Sequence, residues 1–125
     1  MADEVVPGVF VGGLEAVQAG FDGSIICVLE ACGGQPPNEQ HVPVLMPGPE
    51  GAKATPETLE SVCQAIDEAL AVGPVLVHCG GGVERSPLSV AWWLHSRRGM
   101  ALPDAYQLVA LKHPPTQDRT FWITP

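Results

Sequence analysis

Basic residues are scarce in this chain, which has six lysines and arginines against 14 aspartates and glutamates and a formal net charge of −8. The six are scattered, so the sequence has no basic patch of the kind that binds nucleic acid. The acidic balance also argues against an anionic membrane surface as a partner. Any anion that the chain binds must therefore be held by local geometry and not by overall charge.

Long hydrophobic runs and a basic leader are lacking too. No stretch approaches the roughly 20 apolar residues that a membrane-spanning helix needs. The first residues, Met1–Glu4, do not have the basic start of a signal peptide, so we expect a cytoplasmic protein. The 125 residues, 46% of them hydrophobic, suit one domain over 1–125, and we assume a monomer.

Cysteine occurs at four positions, Cys27, Cys32, Cys63 and Cys79. Cys27 and Cys63 lie in segments of periodic apolar residues, where a free buried thiol is expected. The cysteine spacings do not fit a zinc site, so we expect no metal and no other cofactor. An alternative role for one of the other three is to form a reversible disulfide with Cys79 on oxidation.

Apolar periodicity and turn residues predict strands and helices in alternation. The predicted strands are two short ones within Val5–Gly12, then Ile25–Leu29, His41–Leu45 and Pro74–Val77. The predicted helices are Leu14–Gln18, a helix from Thr55 and Pro56 to Gly73, Ser86–Arg98 and Pro103–Lys112. This alternation predicts an α/β fold, with a mainly parallel twisted sheet of roughly four or five strands flanked by helices.

One segment combines a strand, a glycine-rich loop and a helix start. In α/β sheets, ligands bind at the carboxyl ends of strands, where the chain turns into a helix. Glycines let backbone N–H groups curl around an anion, and the helix N-terminus adds to the attraction. We call Cys79–Arg85 the anion loop. Its expected phosphate-binding residues are Gly80, Gly81, Gly82, Val83, Glu84 and Arg85, the last through its bidentate guanidinium.

The same electrostatic field favours the thiolate of Cys79, which makes this residue the expected nucleophile. Ser86 is placed to hydrogen-bond the sulfur and so to ease its departure from an intermediate. His78 is expected to hold the loop through its ring nitrogens. A chance glycine-rich turn with a buried cysteine is the competing interpretation, and the flanking strand and helix argue against it.

The order of these residues, His78 and Cys79, five residues, then Arg85 and Ser86, resembles the signature of the protein tyrosine phosphatase superfamily. Gly82 matches the family's loop glycine. Two further segments, Pro7–Gly12 and Leu102–Tyr106 with Lys112–Pro114, resemble the opening strand and the closing helix of dual-specificity phosphatases.

The resemblance implies hydrolysis of phosphate monoesters on proteins, either at phosphotyrosine alone or at phosphoserine and phosphothreonine as well. It implies a phosphocysteine intermediate on Cys79, with Arg85 and the loop amides stabilising the transferred phosphoryl group. The partner is then a phosphorylated protein or peptide. Two other classes stay open: a pseudophosphatase that binds phosphorylated partners without turnover, and a rhodanese-like sulfurtransferase with a cysteine on an anion-binding loop.

The family's general acid is an aspartate directly after the strand before the long helix, and this chain has Met46 there. Glu84, in the anion loop, is the favoured substitute, and Glu50 is the alternative. The competing interpretation of Glu84 is an ion pair with a basic residue at the rim, and we consider Lys53 and Arg119 as residues that line the pocket. Four aromatic rings are assigned no role in catalysis: Trp92 and Trp93 are expected to pack, and His95 and His113 to lie at the surface.

Overall fold

The computed structural model of the chain describes residues 2–30, 39–47 and 51–123. Within these ranges the strands are β1 (Asp3–Val6), β2 (Val9–Gly12), β3 (Ser24–Cys27), β4 (Glu39–His41) and β5 (Val75–His78). They form one sheet in the order β1-β2-β5-β3-β4. β1 is antiparallel to β2, and the other neighbours are parallel. The predicted α/β fold with a mainly parallel sheet is confirmed.

Each predicted helix is present with similar bounds. The helices are α1 (Leu14–Gln18), α2 (Pro56–Leu70), α3 (Arg85–Arg98) and α4 (Leu102–Lys112), followed by a 3₁₀ turn at Thr120–Trp122. α2 ends at Leu70, before the predicted stop at Gly73. In the described part of the chain no helix has the length and apolar character to cross a membrane.

The start of α2 follows the sequence prediction. The backbone N–H of Thr58 donates to the Thr55 hydroxyl at 3.2 Å, and the backbone N–H of Thr55 donates to the Thr58 hydroxyl at 2.9 Å. This reciprocal cap satisfies donors that a helix start leaves free, and Pro56 has the backbone angle that the first turn needs. The apolar residues that follow at helical spacing are buried at Leu59, Val62, Cys63 and Ile66, and partly buried at Ala69 and Leu70.

Two strands end earlier than predicted. The prediction of a strand at His41–Leu45 is wrong in its bounds, because β4 ends at His41. Pro43 has no N–H and interrupts the ladder. The chain nevertheless stays beside β3, since Val42 N donates to Cys27 O at 2.8 Å. β3 itself ends at Cys27, not at Leu29.

The main core lies between one face of the sheet and the helices α2, α3 and α4. Sheet residues on this face include Val11, Ile26 and Val77, which pack in one cluster with helix residues such as Leu59 and Leu88. The neighbouring sheet residues Ile25 and Leu76, which point to the other face, are also buried. Trp93 is buried and Trp92 is partly buried against the cluster, as expected of packing residues. The central strand β5 is thereby fixed between two covered faces.

Candidate active site

The anion loop emerges from the middle of the sheet. β5 lies between β2 and β3, the loop follows its last residue, His78, and α3 begins at Arg85. The loop borders a cavity of about 410 Å³, which lies at the carboxyl end of β5. Its lining residues are Cys79, Gly80, Gly81, Val83, Glu84, Arg85 and Gln117.

At the start of the loop, carbonyl groups are held by donors that do not line the cavity. The Nδ1 atom of His78 lies 3.2 Å from Cys79 O, and Leu14 N donates to Gly80 O at 2.8 Å. In a trans peptide the C=O and the N–H of the next residue point in opposite directions. The N–H groups of Gly80 and Gly81 therefore face away from these donors and toward the cavity.

In the second half of the loop, two more carbonyl groups accept hydrogen bonds. Gly82 O lies 2.6 Å from Nε2 of His113, and Val83 O accepts from Gln117 N at 2.9 Å. By the same planarity the N–H groups of Val83 and Glu84 lie on the opposite side of their peptide groups. Backbone N–H groups gathered around one cavity at a helix N-terminus form a site for an anion.

Glycine is required at Gly82 because of its backbone φ angle and because there is no room for a Cβ atom. Its φ is +72°, a conformation that other residues rarely adopt. A Cβ placed there would lie 2.7 Å from Gly13 N and 2.8 Å from Gly12 C, closer than atoms can pack. The turn after β2 thus supports the loop through backbone contact.

The Cys79 side chain is almost fully buried, with 2% of the residue exposed, and its sulfur lies 3.3 Å from the hydroxyl oxygen of Ser86. That hydroxyl donates to Gly12 O at 3.1 Å. A hydroxyl has one proton, so in this arrangement its oxygen accepts from a Cys79 thiol. When Cys79 is a thiolate, rotation of the hydroxyl lets Ser86 donate to the sulfur instead.

The Arg85 guanidinium does not lie free over the loop. Its Nε donates to Glu30 Oε1 at 2.6 Å and its Nη2 donates to Glu30 Oε2 at 3.1 Å. The ring of Trp122 lies 5.9 Å from the guanidinium carbon. Arg85 thus borders the cavity while the bidentate face of its guanidinium is engaged by the Glu30 carboxylate.

Comparison with solved structures finds similar proteins. No model of a protein family matches the chain, and neither does a curated protein. A variant of human DUSP28 has a TM-score of 0.76 at 28% identity, covering 97% of this chain and 88% of that chain. A mouse dual-specificity phosphatase complexed with zinc tungstate has a TM-score of 0.77 at 27% identity, covering 97% and 80%. The chain thus resembles small dual-specificity phosphatases of the protein tyrosine phosphatase superfamily.

A third structure shares the fold of this chain at lower identity. It is the human tyrosine phosphatase-like serine/threonine/tyrosine-interacting protein, with a TM-score of 0.74 and 21% identity over 97% of this chain and 89% of that chain.

The general acid is not identified by position alone, unlike the nucleophile. Met46 is 48% exposed and is paired with Lys53 through two backbone hydrogen bonds of 2.8 and 2.9 Å. Glu50 lies outside the described residues. Glu84 lines the cavity, and its Oε2 accepts from Arg119 Nε at 2.8 Å. This is the rim ion pair that the sequence left open as the alternative role of Glu84. Lys53 is not among the residues that line the cavity.

Sequence reasoning missed Glu39, which is the partner of His78. Its Oε1 contacts His78 Nε2, and both side chains are buried. The other nitrogen of His78 faces Cys79 O, as predicted. Cys27 Sγ lies within 4.8 Å of these same two groups, which makes the three a potential metal-ligand set. In this structure Glu39 engages His78 directly, so the contact braces the residue before the nucleophile.

His113 is the clearest correction. The prediction that it lies at the surface is wrong, because only 4% of the residue is exposed. It contacts Gly82 O through Nε2 and Asp3 Oδ2 through Nδ1. His95, expected at the surface as well, is half-buried and has its Nδ1 2.7 Å from Met100 O. No local pattern distinguishes His113, because other polar residues, Thr116, Gln117 and Asp118, follow it in the same segment.

Proposed function

We propose that this protein hydrolyses phosphate monoesters on proteins, at phosphotyrosine and also at phosphoserine and phosphothreonine, through a phosphocysteine on Cys79. The observation that carries the proposal is that the Cys79 sulfur and the inward-facing amides of the anion loop meet at one cavity. The likeness to dual-specificity phosphatases supports the same activity. The substrate is a phosphorylated protein or peptide.

Binding begins with the phosphate dianion in the loop. Gly80, Gly81 and Val83 offer amide N–H groups to its oxygens, and Arg85 offers two more donors once its side chain leaves Glu30. These same groups favour the thiolate of Cys79, so binding and activation of the nucleophile have one cause. The acidic surface of the chain does not attract the phosphate dianion, so the anion is held by the loop alone.

The first chemical step forms a sulfur–phosphorus bond and breaks the bond between phosphorus and the leaving oxygen. The Cys79 thiolate supplies the electron pair, and the leaving oxygen takes a proton from a general acid. Arg85 and the loop amides stabilise the charge on the equatorial oxygens. In the second step water attacks phosphorus and the sulfur leaves as thiolate, which the Ser86 hydroxyl receives with a hydrogen bond.

We propose Glu84 as the proton donor, with Glu50 as the alternative. Glu84 has the advantage of lining the cavity. Its contact with Arg119 must open before its carboxyl group can donate, and a bound dianion favours the protonated carboxyl by like charge. Arg119 then becomes free to contact the substrate.

Turnover of an aryl phosphate by the purified protein tests the function. We expect hydrolysis by wild type, none above background by Cys79→Ser, and a large loss for Arg85→Lys, which keeps the charge but not the bidentate geometry. A Cys79→Ser variant as active as wild type would contradict the proposed nucleophile. No turnover by folded wild type would contradict the activity.

A pseudophosphatase is the second candidate, because Met46 occupies the usual position of the acid and Glu84 is engaged by Arg119. Such a protein would bind a phosphopeptide tightly and release no phosphate. Calorimetry with a phosphotyrosine peptide, followed by a phosphate assay on the same sample, separates the two functions. Release of phosphate favours the enzyme, and stable binding without release favours the binding module.

A further inference from the structure

We propose that Asp3 and His113 form a positioning pair that holds the anion loop in its phosphate-binding conformation. The inference rests on the proposed function of the loop. It adds two residues that lie outside the signature segment, one in β1 and one directly after α4.

The contacts join three parts of the chain. His113 Nε2 lies 2.6 Å from Gly82 O in the anion loop, and His113 Nδ1 lies 2.5 Å from Oδ2 of Asp3 in β1. The imidazole is 6% exposed and the Asp3 side chain is 31% exposed. The histidine therefore connects the sheet edge to the loop from within the protein.

The partners determine where the protons lie. A carbonyl oxygen only accepts, so Nε2 of His113 donates to Gly82 O. A proton also lies between Nδ1 and Asp3 Oδ2, because two bare acceptors would repel each other at 2.5 Å. Asp3 thus keeps the His113 ring in the orientation in which Nε2 donates to the loop, as an acidic partner of a histidine commonly does.

The Gly82 carbonyl is a sensitive place for such a hydrogen bond. Three consecutive glycines make the unsupported loop highly flexible, and ordering it costs entropy. Gly82 also has its unusual φ of +72°. Holding its carbonyl toward His113 fixes the plane of the following peptide, so that the N–H of Val83 stays on the cavity side.

A second histidine makes the matching contact at the start of the loop. His78 Nδ1 faces Cys79 O, and a buried carboxylate, Glu39, contacts its other nitrogen. The start and the middle of the loop are thus each held by a histidine with an acidic partner. Loss of the Asp3–His113 pair should release the middle of the loop at Gly82 while leaving Cys79 in place.

The test measures oxyanion binding and turnover separately. Calorimetry with orthovanadate gives the affinity of the loop, and an aryl phosphate gives kcat/KM. We expect His113→Phe to lower both by about tenfold, the effect of one lost hydrogen bond to a critical group, and Asp3→Asn to lower both by a smaller factor.

His95→Phe is the matched control. His95 also has a ring nitrogen facing a backbone carbonyl, Met100 O at 2.7 Å, at the far end of α3. We expect this variant to lose thermal stability as His113→Phe does, with wild-type affinity for vanadate. Asp3→Asn decides the matter if His113→Phe does not fold.

The outcomes separate this inference from the proposed function. If wild type binds vanadate but turns nothing over, the function fails, and weaker binding by Asp3→Asn still supports the pair. If wild type is an active phosphatase and both variants retain its vanadate affinity and kcat/KM, the pair is merely structural and the inference is overturned.

Discussion

The guanidinium of Arg85 donates through Nε and Nη2 to the two carboxylate oxygens of Glu30, at 2.6 and 3.1 Å. This hydrogen bond lowers the pKa of Glu30 and raises that of Arg85. A substrate phosphate would bind through the same bidentate face. We therefore expect Glu30 and phosphate to compete for Arg85.

Glu30→Gln should strengthen oxyanion binding, because an amide competes less well than a carboxylate for the guanidinium. The pair is partly exposed, and such pairs contribute roughly 0.2–1 kcal/mol, so we expect an increase in affinity of about fivefold or less. Calorimetric titration with orthovanadate measures it. Glu60→Gln is the control, since Glu60 pairs with Arg97. Weaker binding by Glu30→Gln would mean that Glu30 presents Arg85 to the phosphate instead.

The effect of Glu30 should depend on pH in a defined direction. Its pKa lies below the ordinary value of 4.5, so the ion pair is complete at neutral pH and is lost as the pH falls through the lowered pKa. Any stability that the pair contributes is lost in the same range. Sulfate keeps its charge there and serves as the probe. We expect wild type and Glu30→Gln to differ in sulfate affinity at neutral pH and to converge as the pH falls through the lowered pKa of Glu30. A difference that persists unchanged in acid would exclude competition by the Glu30 carboxylate.

The core of the site could be predicted because it is local in sequence. Cys79, Arg85 and Ser86 lie on one strand–loop–helix segment, and the positions of such residues follow from the order of the elements. The glycine requirement at Gly82 could be anticipated in the same way, although its contact with the turn at Gly13 could not.

The supporting residues could not be predicted because their contacts join distant parts of the chain. Glu39 and Asp3 contact His78 and His113 from the outer strands of the sheet, and His113 comes from the turn after α4. None of these has a local pattern that differs from an ordinary polar surface residue. The predicted end of β4 was also wrong. The apolar pattern of His41–Leu45 reflects the burial of its side chains, but Pro43 has no N–H and interrupts the hydrogen bonds between β4 and β3.

The identity of the general acid should appear in the leaving-group dependence of the rate. Glu84→Gln removes the proposed donor, so hydrolysis of phenyl phosphate should fall by roughly 10²–10⁴-fold. Hydrolysis of p-nitrophenyl phosphate should fall much less, because its leaving group needs little protonation. Steady-state kinetics on the two substrates measure the contrast.

Two further variants help to interpret the leaving-group dependence of Glu84→Gln. Glu50→Gln should keep the wild-type contrast between the two substrates if Glu84 is the acid, and should show the large loss if Glu50 is. Arg119→Gln frees Glu84 from its partner and leaves the carboxyl group in place. Equal losses for both substrates in Glu84→Gln would indicate a defect in binding and contradict its role as donor.

Gly82→Ala should disable the loop. The positive φ alone costs roughly 1–3 kcal/mol for a residue with a Cβ, and the new atom would also meet the backbone at Gly12 and Gly13. Gly20→Ala is a matched control, because Gly20 has a φ of +94° and open space where the Cβ would lie. We expect both variants to be less stable in urea unfolding and only Gly82→Ala to lose vanadate binding. Retained binding by Gly82→Ala would show that the loop does not need this contact.

The cysteines should differ sharply in reactivity. Burial raises the pKa of Cys63 to about 11, so this residue is a neutral thiol at ordinary pH. Cys79 borders the cavity, where the loop amides attract anions. In a Cys32→Ser background, which removes the cysteine outside the described residues, iodoacetate at neutral pH should label Cys79 first and inorganic phosphate should slow that labelling. Peptide mass spectrometry measures both rates. Equal labelling of Cys63 and Cys79, or no protection by phosphate, would contradict an activated thiolate in the anion loop.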